Sequence, residues 1–350
     1  MCPDASFFLS REWVDCWLAT FGKDLNPDLM IFTRDGEAVG CCLLVWRTQW
    51  VRGIPLRRVY LNCAGENEAD STYIEYNSLL SLQDCGELVA KALASFLKKQ
   101  HWDELILSGV VDQDAIQILA DALGNYEVSE SLTRYIDFAP LREQQRDYLS
   151  TLSSHPRRNI RLTQRLLEGL GGPCTVRLAQ SVDEALEMLR QLAELHQARW
   201  EARGAAGCFS SEKFSHFHSI LIQKHFDRVM LFRVKAGAEI IGLLYCFLFD
   251  GWVYCYQSGY CYSLDNRSSR SSPGLMTFYF VIDACLAREE IKGVDLMAGD
   301  MEYKRTLARD SGQKPLRWII VRRRTVPSLL YLLLKSLKRK YVQVTEKHHF

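Results

Sequence analysis

The chain has 350 residues, and at about 100–200 residues per domain this length predicts two domains. Hydrophobic residues make up 48% and charged residues 24% of the sequence, a composition that excludes a disordered chain. Because 43 Lys and Arg nearly balance 42 Asp and Glu, the net charge of +1 argues against nucleic acid as a partner.

Cysteine and histidine spacing carries no metal-binding or redox signature. The 12 cysteines are scattered, and their one adjacent pair, Cys41 and Cys42, lies in an apolar run. Such cysteines are typical of small buried side chains in a reducing compartment. No C-x-x-C or H-E-x-x-H spacing occurs, so we expect no metal. The sequence also shows no signal peptide and no apolar run of about 20 residues, which predicts a cytoplasmic protein.

The first half begins with apolar residues at helical spacing after Ser10, with Gly22 as the predicted stop. The dipeptide Asp35-Gly36 predicts a hairpin, and the spacing of Asp84 and Glu87 predicts a capping box that opens a helix. The expected order is a helix, strands at 29–33, 38–46 and 58–62, a helix at 84–98, a strand at 104–108, a helix at 114–123 and a strand at 126–138.

The second half repeats this order. Ser181 and Glu184 have capping-box spacing before a long helix, and Asp250-Gly251 predicts a second hairpin. The expected elements are helix 157–167, strand 175–178, helices 182–203 and 211–225, strands 229–234, 239–249 and 252–258, helix 273–287, strand 293–297, a short helix near 300–307 and strand 316–324. The repeated order predicts a duplicated unit that combines helices with a mixed sheet.

The order of the second half resembles the GNAT acyltransferase fold, and two such units in tandem resemble the Fem aminoacyl transferases. Four motifs are similar to the CelD-type acetyltransferases associated with bacterial polysaccharide operons. They are L-H-Q-A-R-W at 195–200, Y-C-Y-Q-S-G at 254–259, S-P-G at 272–274 and V-D-L-M-A-G-D-M-E-Y-K at 294–304.

This resemblance implies an α/β protein with two tandem GNAT-like domains. Residues 1–150 would form a degenerate N-terminal domain, and residues 151–350 an acyltransferase domain that ends in a basic helix. The implied activity is transfer of an acyl group, acetyl in the first instance, from a CoA-type thioester to an amine or hydroxyl. A small molecule or a polysaccharide or cell-envelope precursor is the implied acceptor.

A candidate phosphate site precedes the helix at residue 273. Ser272 fits the cap position, and the backbone N–H groups of Gly274 and Leu275 are at the positive end of the helix dipole. Arg267 and Arg270 stand just upstream and can bind phosphate. The alternative is a capped helix that follows a solvated loop. Because the GNAT glycine-rich signature Q/R-x-x-G-x-G/A is absent, CoA, a carrier protein and tRNA all stay open as the acyl carrier.

The strand that contains Tyr254 and Tyr256 supplies candidates for the thioester end of the donor. Gln257 and Ser258 stand at its end, where the arm of the donor would insert. Alternation along the strand puts Tyr254, Tyr256 and Ser258 on one face and Gln257 on the other. Packing of the aromatic rings in the core is the alternative explanation of this pattern.

Lys304 is the leading catalytic candidate. An aromatic-Lys pair at this place in the Fem family implies that Lys304 stabilises the tetrahedral oxyanion, and an ammonium supplies the charge this needs. The alternative is a surface lysine paired with Asp300. For proton transfer the candidates are Asp300, Glu302 or His196 as the base and Tyr303 as the acid that protonates the thiolate. A structural hydrogen-bonding role for His196 is also open.

The C-terminal segment joins six apolar residues at 329–334 to the cations Lys335, Lys338, Arg339 and Lys340. This pattern is typical of peripheral contact with an anionic membrane, or of a final helix packed on its domain. The sequence leaves the oligomeric state open. Two rival functions also remain: a Fem-like transferase that uses aminoacyl-tRNA, and a catalytically silent assembly or carrier-binding subunit.

Overall fold

A computed structural model describes residues 5–111, 114–261, 273–309 and 312–347. They form two compact units. Unit 1 comprises Met1–Asn67, Ser71–Glu130 and Leu316–Phe350, and unit 2 comprises Glu68–Asp70 and Ser131–Pro315. Each unit packs helices against strands around an apolar core of its own, so the predicted mixed α/β class is confirmed.

The first part of the chain contains α1 (Arg11–Leu25), β1 (Asp28–Arg34), β2 (Glu37–Val51), β3 (Ile54–Leu61), β4 (Leu80–Ser81), α2 (Gly86–Lys99), β5 (Glu104–Val111), α3 (Asp114–Leu123) and β6 (Tyr126–Asp137). The middle part contains α4 (Ala139–Glu143), α5 (Tyr148–Thr151), α6 (Ser154–Gly171), β7 (Cys174–Leu178), α7 (Val182–Glu201) and α8 (Glu212–Lys224). The last part contains β8 (Val229–Ala236), β9 (Glu239–Phe249), β10 (Trp252–Tyr260), α9 (Pro273–Leu286), β11 (Gly293–Ala298), α10 (Glu302–Leu307), β12 (Gln313–Arg322) and α11 (Val326–Lys347).

The strands of unit 1 follow the order β1-β2-β3-β5-β12, with β4 beside β2. Strands β1, β2 and β3 form the antiparallel meander that the Asp35-Gly36 turn predicted. Strand β5 then pairs parallel to β3 and antiparallel to β12. Helices α2 and α3 bury their apolar faces on this sheet, which accounts for the buried Leu93, Leu97 and Leu119.

Unit 2 has the strand order β6-β11-β10-β9-β8-β7. Strands β10 and β11 are parallel, and the other neighbouring pairs of this sheet are antiparallel. Helices α7 and α9 pack on β9 and β10. The parallel pair holds the candidate site, because a parallel connection brings the ends of β10 and β11 to the same edge of the sheet.

The compact units are not the contiguous segments 1–150 and 151–350 that the family resemblance implies. Strand β12 comes last among the strands, yet its residues from Leu316 onward pair with β5 in unit 1. The second half of β6 pairs with β11 in unit 2, where Asp137 faces Gly293. Local patterns do not specify such long-range pairing, because a strand shows its periodicity but not its partner.

Two predicted capping boxes have different outcomes. The Ser181 hydroxyl oxygen accepts a hydrogen bond from the Glu184 N–H at 3.2 Å, and α7 begins as predicted. The box at Asp84 is wrong: α2 begins at Gly86 after Cys85, whose side chain makes no capping hydrogen bond. Asp84 itself has a φ of +63°, a left-handed turn conformation that takes its carboxylate away from the cap position.

Within the described ranges, no helix is both long and apolar enough to cross a membrane. The cysteines of the same ranges form no disulfide, and most are buried or half-buried as small apolar side chains. Among these residues, no three His, Cys, Asp or Glu side chains gather in the way that metal ligands do.

Candidate active site

The parallel strands β10 and β11 separate after a short pairing. They pair through Trp252 with Gly293, Val253 with Val294, and Tyr254 with Asp295. Beyond Tyr254, β10 continues to Tyr260 with pairs to β9 only, among the strands of the described chain. Within the described residues, no strand pairs with the β11-facing edge of β10 beyond Tyr254, and an extended ligand with amide groups can bind a strand edge of this kind.

A β-bulge lies where the strands separate. The register of β10 against β9 shifts between Cys255, which faces Cys246, and Gln257, which faces Tyr245. Tyr256 is thus the extra residue, and a bulge bends its strand and re-aims the side chains that follow. The predicted alternation breaks here, because Tyr256, Gln257 and Ser258 are all half-buried. Gln257 and Ser258 therefore lie just beyond the point where β10 and β11 separate.

An aromatic cluster holds the bulge in place. The Tyr256 ring packs within 5.1 Å of His218 on α8 and 5.0 Å of Phe247 on β9, centroid to centroid. The His218 Nδ1 atom lies 3.2 Å from the Tyr245 hydroxyl oxygen. Burial lowers the pKa of His218 to about 3, so the ring is neutral near pH 7. The cluster therefore packs against the bulge residue Tyr256, which directly precedes Gln257 and Ser258.

Lys304 is buried at the end of β11, with only 4% of its surface exposed. Its Nζ atom donates hydrogen bonds to the carbonyl oxygens of Met297 at 3.1 Å and Ala298 at 2.6 Å. Met297 and Ala298 follow Asp295, which is the last β11 residue that pairs with β10. This burial excludes the alternative of a surface lysine paired with Asp300. The Lys304 ammonium instead supplies positive charge beside the point where β10 and β11 separate.

The backbone that receives Lys304 has an unusual turn. Met297 has a φ of +61°, a left-handed conformation that side chains with a Cβ rarely adopt, and Gly299 has a φ of +120°. The Asp295 carboxylate accepts a hydrogen bond from the Met297 N–H at 2.7 Å and holds the turn. The turn aims two carbonyl oxygens at one buried ammonium, and strained backbone of this kind is concentrated at functional sites.

Asp300 lies on the surface beside this turn rather than in it. Its carboxylate pairs with Arg305 in α10, and one of its oxygens lies 3.6 Å from Nη2 of Arg134 in β6. The hydrogen bond from Arg305 lowers the pKa of Asp300 below its usual value. A carboxylate so stabilised in its charged form is a weak proton acceptor near pH 7, and its geometry is that of an anchor for two arginines.

Tyr303 precedes Lys304 on α10 and faces α9. Its ring stacks on Phe278 with a centroid distance of 4.9 Å and an interplanar angle of 27°. This contact ties the short helix that carries Lys304 to the long helix α9, so both helices position the aromatic-Lys pair.

His196 lies near the end of α7 and is nearly buried. The Trp200 indole N–H donates to its Nε2 atom at 3.0 Å, and its Nδ1 atom lies 3.4 Å from the Gln197 Oε1 atom. Burial lowers the pKa of His196 by more than the contact with Gln197 raises it. Because the indole occupies the Nε2 lone pair, the arrangement fits the structural hydrogen-bonding alternative and leaves no nitrogen poised to act as a base.

We expect the His196→Ala variant to lose stability and to keep the pH dependence of the wild type. The lost hydrogen bond and packing should lower the free energy of unfolding by about 1–2 kcal/mol. The measurements are urea unfolding and kcat/KM as a function of pH, with the exposed His216→Ala as the matched control. Loss of a pH-dependent limb in His196→Ala alone would instead make His196 the base.

The phosphate candidates lie at the start of α9, which follows β10. Gly274 and Leu275 occupy its first turn, and the Thr277 hydroxyl donates to the Pro273 carbonyl oxygen at 2.7 Å. A Cβ on Gly274 would lie 3.4 Å from the Tyr260 ring, so the helix start packs on the end of β10. Ser272, Arg267 and Arg270 lie outside the described residues.

A cavity of about 420 Å³ lies between the end of α7 and the end of β10. Its walls are mainly apolar, and two arginines contribute the polar part. The lining residues are Leu195, Ala198, Arg199, Ala202, Arg203, Tyr260 and Cys261. At Gly259, α7 crosses β10 so closely that a Cβ would lie 2.6 Å from the Leu192 carbonyl oxygen, which accounts for a glycine at this position.

Several of these features carry no sequence signal that periodicity or motif spacing detects. The bulge at Tyr256 and the His218 support depend on register between strands and on packing between α8 and β9. The Asp295 hydrogen bond to the Met297 N–H is a local carboxylate-backbone contact of the kind that Asp forms two residues ahead. The aspartate at position 295, two residues before the turn, is the one sequence feature that points to this hydrogen bond.

The separation of β10 from β11, the bulge in β10 opposite β9 and the helix that follows β10 are features of the GNAT-like fold. The family model described as an acetyltransferase (GNAT) domain matches residues 154–305. Residues 154–305 are therefore similar to a GNAT acetyltransferase domain, and this match supports the predicted acyltransferase activity. The narrower resemblance to the CelD-type branch is carried by the sequence motifs alone.

Solved structures show the same fold over most of the chain. FemX is 13% identical and covers 95% of each chain with a TM-score of 0.57. L-PGS from Bacillus licheniformis is also 13% identical, and the match covers 93% of this chain and 96% of that one with a TM-score of 0.52. A conserved protein of unknown function from Bacteroides thetaiotaomicron is 10% identical, over 90% and 91%, with a TM-score of 0.51. No curated protein matches the chain.

Proposed function

We propose that the chain transfers an acyl group, acetyl in the first instance, from a CoA-type thioester to an amine or hydroxyl acceptor. The observation that carries this proposal is the separation of β10 from β11 after Tyr254, with its bulge at Tyr256. The arm of CoA carries amide groups, and the β10 edge beyond Tyr254 offers backbone groups that fit them. The thioester then lies near Gln257 and Ser258.

Lys304 supplies charge for the chemistry. Attack of the acceptor on the thioester carbon places negative charge on the carbonyl oxygen, and a buried ammonium stabilises that charge strongly. The Met297 and Ala298 carbonyls fix the ammonium at the end of β11, where no reorganisation is needed during the reaction. As the C–S bond breaks, Tyr303, the neighbour of Lys304, is the group we assign to protonate the leaving thiolate; the acceptor releases its proton to water, and Tyr303 takes a proton back from water.

The start of α9 completes the donor site in this proposal. Gly274 and Leu275 lie in the first helical turn, where backbone N–H groups and the helix dipole favour phosphate. Ser272, Arg267 and Arg270 immediately precede this turn in the sequence and are proposed to contact the same phosphates. The cavity beside α7 adjoins Tyr260 and accommodates the acceptor.

The acceptor we propose is a polysaccharide or cell-envelope precursor, or a smaller molecule with the same amine or hydroxyl group. Arg199 and Arg203 line the cavity and favour an acceptor that carries negative charge. This part of the proposal rests on the CelD-type motifs and on the charge of the cavity walls.

Ligand-induced stabilisation tests the donor. Acetyl-CoA, longer acyl-CoA thioesters and acylated carrier protein are each added to the full chain, and thermal unfolding is followed. A donor at 100 times its Kd should stabilise the protein by about 2.7 kcal/mol. Absence of stabilisation by every thioester, with no acyl transfer to any amine tested, would favour the silent assembly or carrier-binding subunit instead.

Gln257→Ala and Ser258→Ala test where the thioester lies. We expect each to lower kcat/KM by about tenfold or more with little change in Tm, because each removes a polar contact to the donor and no buried apolar group. The matched control is Gln313→Ala, an exposed glutamine on strand β12. Full kcat/KM in both site variants would remove this end of β10 from the active site.

Aminoacyl transfer from tRNA is the second candidate, favoured by the likeness to FemX over 95% of both chains. That likeness shows the fold alone, and the net charge of the chain argues against tRNA as a partner. A tRNA partner requires an extensive basic surface, whereas the net charge is +1. Transfer from aminoacyl-tRNA but from no thioester would select this candidate.

A further inference from the structure

The outward side of helix α11 carries a row of exposed apolar side chains. Val326, Leu329, Leu330, Leu333 and Leu337 are between 45% and 79% exposed. Their spacing of three or four residues places them on one helical face. A row of leucines in water is unfavourable by the hydrophobic effect, and contiguous apolar surface of this kind marks an interaction site.

The opposite side of α11 is fixed to unit 1, so these leucines cannot turn inward. Ser328 is buried and donates to the Asp103 carbonyl oxygen at 3.1 Å, and the Thr325 hydroxyl donates to the Asp103 carboxylate at 2.6 Å. Further along the helix, the Lys335 Nζ atom lies 3.0 Å from a Glu127 carboxylate oxygen. The helix thus has one side bound to its own unit and one apolar side exposed.

Positive charge is concentrated in the C-terminal segment that contains α11. Residues 311–345 contain nine Lys and Arg and no Asp or Glu, while the rest of the chain has 34 Lys and Arg against 42 Asp and Glu. Arg317, Arg322 and Lys335 pair with acids of unit 1. Lys338, Arg339 and Lys340 follow directly after Leu337, so a cationic run adjoins the apolar row.

An exposed tryptophan stands near the same helix. Trp50 lies at the end of β2 and is 73% exposed. Two residues later, a guanidinium nitrogen of Arg52 lies 3.5 Å from the Leu334 carbonyl oxygen, which ties the β2–β3 turn to α11. Tryptophan favours the interface between water and lipid, where its ring is half in each environment.

We propose that the exposed face of α11, together with Trp50, docks unit 1 on an anionic lipid bilayer. Leucines enter the acyl boundary, Trp50 lies at the headgroup level, and the basic run binds lipid phosphates. Charge complementarity favours this occupant over a second copy of the chain. In a twofold dimer the same patch meets itself, and because residues 311–345 contain no Asp or Glu, the second copy of this segment would supply no acidic residue to pair with the cationic run.

Co-sedimentation with vesicles tests the proposal on the full chain. We expect binding to vesicles of phosphatidylcholine mixed with phosphatidylglycerol, weaker binding at high salt, and little binding to phosphatidylcholine alone. Leu333→Glu should weaken binding at least about tenfold. Replacing Lys338, Arg339 and Lys340 together with glutamine should weaken it about 100-fold.

Leu29→Glu is the matched control, since Leu29 is an exposed leucine on β1 of the same unit and should leave binding unchanged. Circular dichroism confirms that each variant is folded. Equal binding of wild type and Leu333→Glu would overturn the proposal, as would equal binding to neutral and anionic vesicles. A dimer in sedimentation equilibrium that Leu333→Glu dissociates, without vesicle binding, would assign the face to a second copy instead.

Discussion

Replacing Lys304 with methionine is expected to lower kcat by about 100-fold or more, because the site loses the charge proposed to stabilise the oxyanion. The same change removes the ammonium that donates to the carbonyl oxygens of Met297 and Ala298, and the loss of hydrogen bonds from a buried charged donor is costly. We therefore expect the free energy of unfolding to fall by about 2–4 kcal/mol. Steady-state kinetics and urea unfolding measure the two effects separately.

Lys292→Met is the matched control for this experiment. Lys292 is an exposed lysine of unit 2 whose Nζ atom lies 3.1 Å from an Asp250 carboxylate oxygen. Loss of such a surface ion pair should change stability by less than about 1 kcal/mol and leave kcat unchanged. If Lys304→Met folds, loses stability and still turns over at the wild-type rate, then Lys304 only stabilises the turn at Met297 and Ala298, and its catalytic assignment is wrong.

Replacing Asp103 with alanine is expected to cost about 2–4 kcal/mol, the largest stability effect we expect in unit 1, because several hydrogen bonds to one buried carboxylate are lost together. Its fully buried carboxylate accepts hydrogen bonds from the Arg57 N–H at 2.8 Å, from the Arg57 guanidinium, and from the Thr325 hydroxyl. Removing it takes the acceptor away from the Arg57 N–H, the Arg57 guanidinium and the Thr325 hydroxyl, and it releases the first turn of α11. Asp15→Ala, which breaks an exposed ion pair with Arg11, should change stability by less than about 1 kcal/mol.

The pH dependence of this effect follows from the pKa of Asp103. Burial alone would raise that pKa, but the hydrogen bonds from Arg57 and Thr325 outweigh burial and lower it below the usual value. A carboxylate whose pKa is lower in the folded state stabilises the fold above its unfolded pKa of about 4 and loses that contribution as pH falls through the folded pKa.

Urea unfolding of the wild type and Asp103→Asn should therefore give a constant difference in stability above about pH 5 and a shrinking one below about pH 4. The asparagine keeps the shape of the side chain and removes its charge. A difference that does not change with pH would mean that the charge of Asp103 contributes nothing and that its hydrogen-bond geometry accounts for the whole effect.

Some of the site was predictable because its signals are local. The S-P-G motif placed the start of α9 at Pro273, and the Ser181 cap placed α7. Gln257 and Ser258 were placed at the end of β10, where the structure also has them. Caps, turns and periodicity are properties of a few neighbouring residues, and each has a preferred conformation whatever surrounds it.

Roles that depend on distant partners were less predictable. His196 is four residues from Trp200, a spacing that shows a shared face but not that the indole occupies the Nε2 lone pair. Asp300 is a candidate base by its position, yet Arg134 from β6 joins Arg305 in holding it ionised. Proton affinity is set by the charges and burial around a group, and these come from several elements at once.

By itself the sequence determined the element order, the mixed α/β class and the segment that carries the acyltransferase motifs, since local propensity and hydrophobic pattern specify elements. Only the tertiary structure decided that β12 pairs with β5, that β10 bulges at Tyr256, and that Lys304 is buried against two carbonyls. Strand register and burial arise from contacts between residues far apart in the chain, and no local pattern contains those contacts.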